Sequence, residues 1–111
     1  MEHDRERDSR ARGALEPAVV SALGRIRGQR FSTRRIVDEM RAERSGEESY
    51  QAALGIVASG AAVDQMVLHV VHGQIIPDIL RHSGVVRFAG FIHGQPEEDD
   101  GFSVPSWWRR L

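Results

Sequence analysis

Residues 85–108 read VVRFAGFIH (85–93), GQPEEDDG (94–101) and FSVPSWW (102–108), and this stretch decides the fold. Its two runs are rich in β-branched and aromatic residues, and the segment between them is a Gly, Pro and acid turn, the pattern of an antiparallel hairpin. A two-stranded ribbon is marginal alone in water, so its apolar face needs a cover. The chain upstream carries helical periodicity, so helices are expected to supply that cover. The fold class is therefore α+β: about five helices followed by a C-terminal antiparallel β-hairpin.

Working back from the hairpin, each helix has its own signals. In residues 15–27, Leu15, Ala18, Val19, Ala22, Leu23 and Ile26 recur at three and four residues and make one apolar stripe. Pro17 suits a first turn and Gly28 a stop. A second helix is predicted over residues 31–44, with Ser32 as N-cap, Phe31 stapled to Ile36, and Ile36, Val37 and Met40 facing inward. SGEES (45–49) reads as a turn, with Ser45 and Glu48 placed for a capping box. A third helix over 50–58 turns Tyr50, Ala53, Leu54 and Val57 to the core, and Gly60 marks a break. A fourth, over 63–72, is apolar almost all round and is expected to be central or at a subunit contact. Gly73 should end it, and Pro77 should start a short fifth helix, PDILRHS (77–83). MEHDRERDSRARG (1–13) has almost nothing to bury and is expected to be a disordered charged segment or a frayed helical extension, leaving 14–111 as the single domain.

At 111 residues the chain supports one core. Cysteine is absent, which removes disulfides and thiolate metal sites and suits a reducing cytoplasm. The first thirteen residues are charged throughout, unlike a secretory signal, and residues 52–76 are interrupted by Asp64, Gln65, His69 and His72, unlike a bilayer span. A cytoplasmic protein with no membrane partner is expected. All 15 basic residues are arginine. Residues 1–44 carry 11 arginines against 8 acids, whereas residues 45–111 carry 4 against 8. Arg25, Arg27, Arg30, Arg34 and Arg35 follow one another with no acid between them, so a basic surface is expected on a molecule of near-zero net charge.

The chemistry-bearing motifs are sparse. No Ser-His-Asp order, glycine-rich phosphate loop or Gly-x-Ser-x-Gly elbow occurs, so neither an enzyme nor a cofactor is expected. His69 and His72 stand three apart on one helical face, a spacing able to bind zinc with His82 or His93. Without HExxH or cysteine, the expectation is hydrogen-bonded histidines and no metal. Glu97, Glu98, Asp99, Asp100 and Gly101 resemble part of a calcium loop but lack its alternating ligands, so they are read as a solvated hairpin tip. Strand alternation sends Trp107 and Trp108 to opposite faces, one to the core. The other, beside Arg109, has the composition of an interface; Trp107, Trp108 and Arg109 are the candidate partner surface.

Helices followed by a terminal hairpin, over roughly residues 14–108, resemble the winged helix-turn-helix superfamily in order of elements. FSTRRIVDEMR (31–41) resembles the first helix of a helix-turn-helix, with YQAALGIVA (50–58) as the recognition helix and Gln51 its one base-addressing side chain. A second frame turns at HGQ (72–74) into PDILRHS, where Gly73 and Ile79 are similar to the turn glycine and buried aliphatic of such units and His69 departs from the small residue preferred there. The resemblance implies a DNA-binding or regulatory domain, often dimeric. Arg25, Arg27, Arg30, Arg34 and Arg35 would meet phosphates, with Gln74, Arg81 and Arg87 as groove or base candidates and the acidic tip turned away. A non-catalytic DNA-binding protein, a transcriptional regulator or an accessory to DNA metabolism, is the leading expectation. The alternative is a protein-interaction module that docks a partner or itself through residues 63–72 and the Trp pair.

Overall fold

The computed structural model describes residues 2–111, with side chains described from Arg5 onward. The elements run α1 (Glu2–Arg25), β1 (Arg30–Ser32), α2 (Thr33–Ala42), α3 (Arg44–Ala58), α4 (Gln65–Val70), a π-helical turn (Val71–Ile75), α5 (Ile76–His82), β2 (Val86–Phe91), a 3-10 turn (Pro96–Glu98) and β3 (Ser106–Arg110). The fold is α+β, as expected, with helices preceding an antiparallel sheet. The sheet has three strands rather than the two of a hairpin, in the order β1-β3-β2.

The third strand escaped the sequence pattern because it is only Arg30-Phe31-Ser32, too short to show alternation. It forms because β3 would otherwise present a row of unpaired backbone groups at its free edge. Gly28, at φ +100°, turns the chain out of α1 into this edge. Phe31 then lies opposite Trp108, and Phe88 opposite Trp108 from the other side. Trp108 is 1 % exposed, and its indole N–H donates to Thr33 Oγ1 at 2.9 Å. The stripe expected in α1 is buried from Leu15 to Ile26, and Ile36, Met40, Ile79 and Leu80 complete the core against the sheet.

Several boundaries differ from the sequence reading. α1 begins thirteen residues before Leu15, so residues 5–13 take the helical of the two expected forms, and they are packed rather than disordered: Ala11 is fully buried and Arg12 pairs with Asp78 of α5 at 2.9 Å. Met1 lies outside the described residues. Pro17 is therefore inside a helix, not in its first turn, and leaves one backbone carbonyl without its usual donor. Ser32 caps α2 as expected, its hydroxyl accepting from Arg35 N at 3.0 Å, but α2 starts at Thr33 because Phe31 and Ser32 belong to the sheet. SGEES is not a turn: it forms the first turns of α3, whose N-cap is Glu43 and which has no Ser45 capping box. Gly46 faces the end of α2 so closely that a Cβ there would stand 2.0 Å from the Met40 carbonyl oxygen.

The predicted end at Gly73 is also absent. α4, the π-helical turn and α5 make one unbroken helical run from Gln65 to His82. Ile76 N donates to Val71 O, five residues back, and this widened turn takes up the register change just before Pro77, which has no N–H to give. Gly73 sits inside this run with a helical backbone, and a Cβ there would make ordinary van der Waals contact with Phe102 O at 3.6 Å and Ser103 Cα at 3.8 Å. The second helix-turn-helix frame, which needed a turn at residues 72–74, is not formed. Among the described residues no helix is long and apolar enough to cross a membrane.

Candidate nucleic-acid interface

The strand pairing determines which side chains meet on the open face of the sheet. Arg30 of β1 lies opposite Arg109 of β3, and Arg109 lies opposite Arg87 of β2. Directly opposed residues point to the same side, so three arginines form a row across the full width of the sheet. Their neighbours Phe31, Trp108 and Phe88 form the matching row underneath. All three arginines are exposed. None of them has an ion pair or a hydrogen-bonded carboxylate among the described residues. Like charges placed opposite one another oppose strand pairing, and no carboxylate among the described residues offsets them.

Trp107, two residues before Arg109, shares this face and is half-buried; the Arg30 guanidinium stands 4.1 Å from the centre of its ring. Alternation thus resolves as anticipated, with one Trp inside and one outside, and Trp108 is removed from any partner surface by its burial. Arg110 shows the same alternation. It turns back under the sheet and donates to the carbonyls of Leu23, Ile26 and Gly28, at 2.8, 2.5 and 3.0 Å, neutralising the C-terminal end of α1.

The five-arginine run is divided by the fold. Arg27, Arg30, Arg34, Arg35 and Trp107 line one depression of about 540 Å3 beside the open face. Arg27 is exposed and carries no carboxylate partner among the described residues. Arg25 is instead a clamp between α1 and α2, reaching Glu39 at 3.4 Å and Glu43 at 3.8 Å. Arg34 donates to the carbonyls of Glu97 and Asp99 at 2.7 and 3.0 Å, and Arg35 pairs with Glu39 at 3.6 Å. Gln74 and Arg81 lie on the other side of the sheet, lining a groove of about 580 Å3 with Phe91, Phe102 and the inward-facing Trp108. The structure therefore brings together Arg27, Arg30, Arg87 and Arg109 and leaves Gln74 and Arg81 apart from them.

The acidic segment is not a free tip. Ser32 donates a short hydrogen bond to Glu98, while Arg34 holds the backbone on either side. The side chain of Asp100 is only 8 % exposed. Its Oδ1 accepts from the N–H groups of Phe102 and Ser103, each at 2.9 Å, and its Oδ2 lies 2.9 Å from His72 Nδ1. A carboxylate only accepts, so Nδ1 carries the proton, and in the neutral ring Nε2 takes the hydroxyl hydrogen of Tyr50 at 2.6 Å. Burial alone would raise the Asp100 carboxyl, but the hydrogen bonds from His72, Phe102 and Ser103 outweigh it and bring it down to about 2. Burial likewise raises the Tyr50 hydroxyl above its ordinary value. With both Tyr50 and His72 inaccessible, this relay anchors the loop onto α3 and the π-helical turn and offers a substrate no entry. His69 is engaged separately, its Nδ1 2.5 Å from the Phe102 carbonyl. Among the described residues no cluster of His, Asp and Glu is arranged to hold a metal ion.

Sequence reasoning singled out Arg30, Arg87 and Arg109 but not their alignment, which needed β1 as a strand. The one available signal was the shared alternation of Arg30-Phe31-Ser32 and Trp107-Trp108-Arg109. No protein family, curated protein or solved structure matches this chain.

Proposed function

We propose that this chain is a non-catalytic DNA-binding domain of winged-helix type, and that its phosphate-binding surface is the open face of the sheet. The observation that carries this reading is the row Arg30–Arg109–Arg87, which burdens the fold with like charges opposed across two strand pairs. Polyanion binding relieves that repulsion and releases counterions from the phosphates at the same time. Arg27 extends the surface past β1 into a depression that also holds Asp38, Glu97 and Glu98, of which Glu98 accepts from Ser32 and Asp38 pairs with Arg34. The winged-helix assignment rests on order: helices first, then a hairpin whose last strand is central in the sheet. A transcriptional or accessory role in the cytoplasm fits such a domain.

The test is a titration of nucleic acid at several salt concentrations. Three or four neutralised phosphates predict a slope of log K against log salt of roughly −2 to −4. Replacing Arg30, Arg87 and Arg109 together by Gln should reduce it to about −0.7 to −0.9, the share left to Arg27. No binding at low salt, or binding indifferent to salt, would sink the reading.

A protein-interaction module is the second reading, and one observation favours it: Val63, just before α4, and Met66, in its first turn, are 47 % and 68 % exposed. Concentration-dependent self-association abolished by Met66→Lys would support it, and a strictly monomeric protein would count against it.

A further inference from the structure

We infer that the arginine face takes single-stranded nucleic acid, with an unpaired base stacked at Trp107 and its flanking phosphates on Arg30, Arg109 and Arg87. This rests on the phosphate-binding reading above and narrows it to one class of ligand.

Three features of the molecule select a single strand over a duplex groove. The first is width. The major groove is about 12 Å wide and admits a helix or a two-stranded ribbon. Three strands place their outer backbones roughly 10 Å apart before any side chain is added, so this sheet is too broad to enter. The arginines sit in the middle of the broad face, on Arg109, as well as on its flanks.

The second feature is the two helical stretches that the helix-turn-helix frames would use for recognition, neither of which presents the side chains to read a groove. The exposed residues of α3 are Arg44, Ser45, Glu48, Gln51, Ala52 and Gly55. Its one base-addressing amide, on Gln51, donates to Glu47 at 3.0 Å, and Arg44 is spent on Glu48 at 3.3 Å. The run from Gln65 to His82 offers a single arginine, Arg81, and it faces the opposite side of the sheet from the row.

The third feature is the tryptophan itself. The half-buried indole lies in the depression it shares with Arg30, Glu97 and Glu98, and the Arg30 guanidinium, 4.1 Å from the centre of its ring, holds it as one wall of a stacking surface. Aromatic side chains on such surfaces accept unstacked bases of any sequence, and arginine adds a cation–π contribution. In a duplex those base faces are occupied by neighbouring base pairs, so Trp107 gains nothing there.

The experiment compares a labelled oligo(dT) of about ten nucleotides, within the span covered by one such domain, with a duplex of the same length. Full-length protein, Trp107→Ala, Trp107→Phe and Arg109→Gln are titrated with both. Oligo(dT) should bind the full-length protein more tightly than the duplex does and quench the fluorescence of Trp107. Trp107→Ala should weaken oligo(dT) roughly 5- to 150-fold, the equivalent of one stacked base, and should change duplex affinity less than about twofold. Trp107→Phe should recover most of the loss, which separates stacking from a folding defect, and thermal melting checks that each variant folds. Arg109→Gln should weaken both ligands. Oligo(rU) bound through the same residues supports the same site, because neither stacking nor phosphate pairing involves the 2′-hydroxyl.

Equal or tighter binding of the duplex, or oligo(dT) affinity untouched by Trp107→Ala while Arg109→Gln weakens both ligands, overturns this inference and leaves the phosphate-binding reading standing. Absence of binding by both ligands at low salt removes the phosphate-binding reading with it.

Discussion

Replacing Arg109 by threonine should stabilise the protein while weakening the nucleic-acid binding proposed for this face. Arg109 is flanked on the open face by Arg30 on one side and Arg87 on the other. Opposed Cβ atoms lie about 5 Å apart, and like-charge pairs at that separation cost about 0.2–1 kcal/mol each. Coulomb's law in water gives a similar figure, about 0.7 kcal/mol for guanidinium groups roughly 6 Å apart. Two such pairs disappear together in Arg109→Thr, for a gain of about 1 kcal/mol at low salt, and threonine is well suited to a strand. For a domain of this size that corresponds to a rise in Tm of about 4–8 °C. The gain should shrink as salt is added, since the Debye length falls to about 8 Å at physiological ionic strength. Nucleic-acid binding should move the other way, with the salt slope reduced by about 0.7–0.9 because one fewer phosphate is neutralised.

The adjacent residue provides the control. Arg110→Thr removes the same charge but strips the cap from the carbonyls of Leu23, Ile26 and Gly28, so its Tm should fall. Differential scanning calorimetry at two salt concentrations reads both variants. A lower Tm for Arg109→Thr at low salt, or a gain that does not diminish with salt, would refute the claim that the arginine row is strained by its own charge.

Three further outcomes follow from the core and the anchored loop. Asp100 titrates near 2 in the folded protein and near 3.8 when unfolded, so its contribution is complete above about pH 4 and is lost as pH falls toward 2; Asp100→Asn should cost about 2 kcal/mol at neutral pH and flatten that acid limb in urea melts. Thr33→Val leaves the buried Trp108 N–H without an acceptor and should cost about 1–3 kcal/mol, whereas Thr33→Ser, which keeps the oxygen, should cost less in the same melts. Gly46→Ala forces a methyl onto the Met40 carbonyl, so α2 and α3 must separate; unfolding at a clearly lower denaturant concentration is expected, and an unchanged midpoint would disprove the close approach.

Much of the fold was legible because its signals are local. The α1 stripe, the Ser32 cap, the inward face of α3 and the hairpin each arise from a few adjacent residues obeying one periodicity. In the misread boundaries, neighbouring structure overrides a local preference. Glycine at 73 has a breaker's propensity, but the helix continues through it by widening to a π-helical turn ahead of Pro77. SGEES has turn composition, yet α3 extends through it because Gly46 packs against α2.

The candidate site divides in the same way. The sequence by itself determined that Trp107 and Trp108 face opposite ways and that arginine supplies every positive side chain, since these are matters of alternation and composition. Only the tertiary structure decided which arginines are free. Arg25 and Arg34 meet carboxylates or carbonyls that lie beyond any local window, and Arg110 is consumed by the end of α1; the Arg35 pair with Glu39, four residues on, is local. Arg30, Arg87 and Arg109 belong to three separate segments of chain, and they become a row because the free edge of β3 must find backbone partners and β1 supplies them.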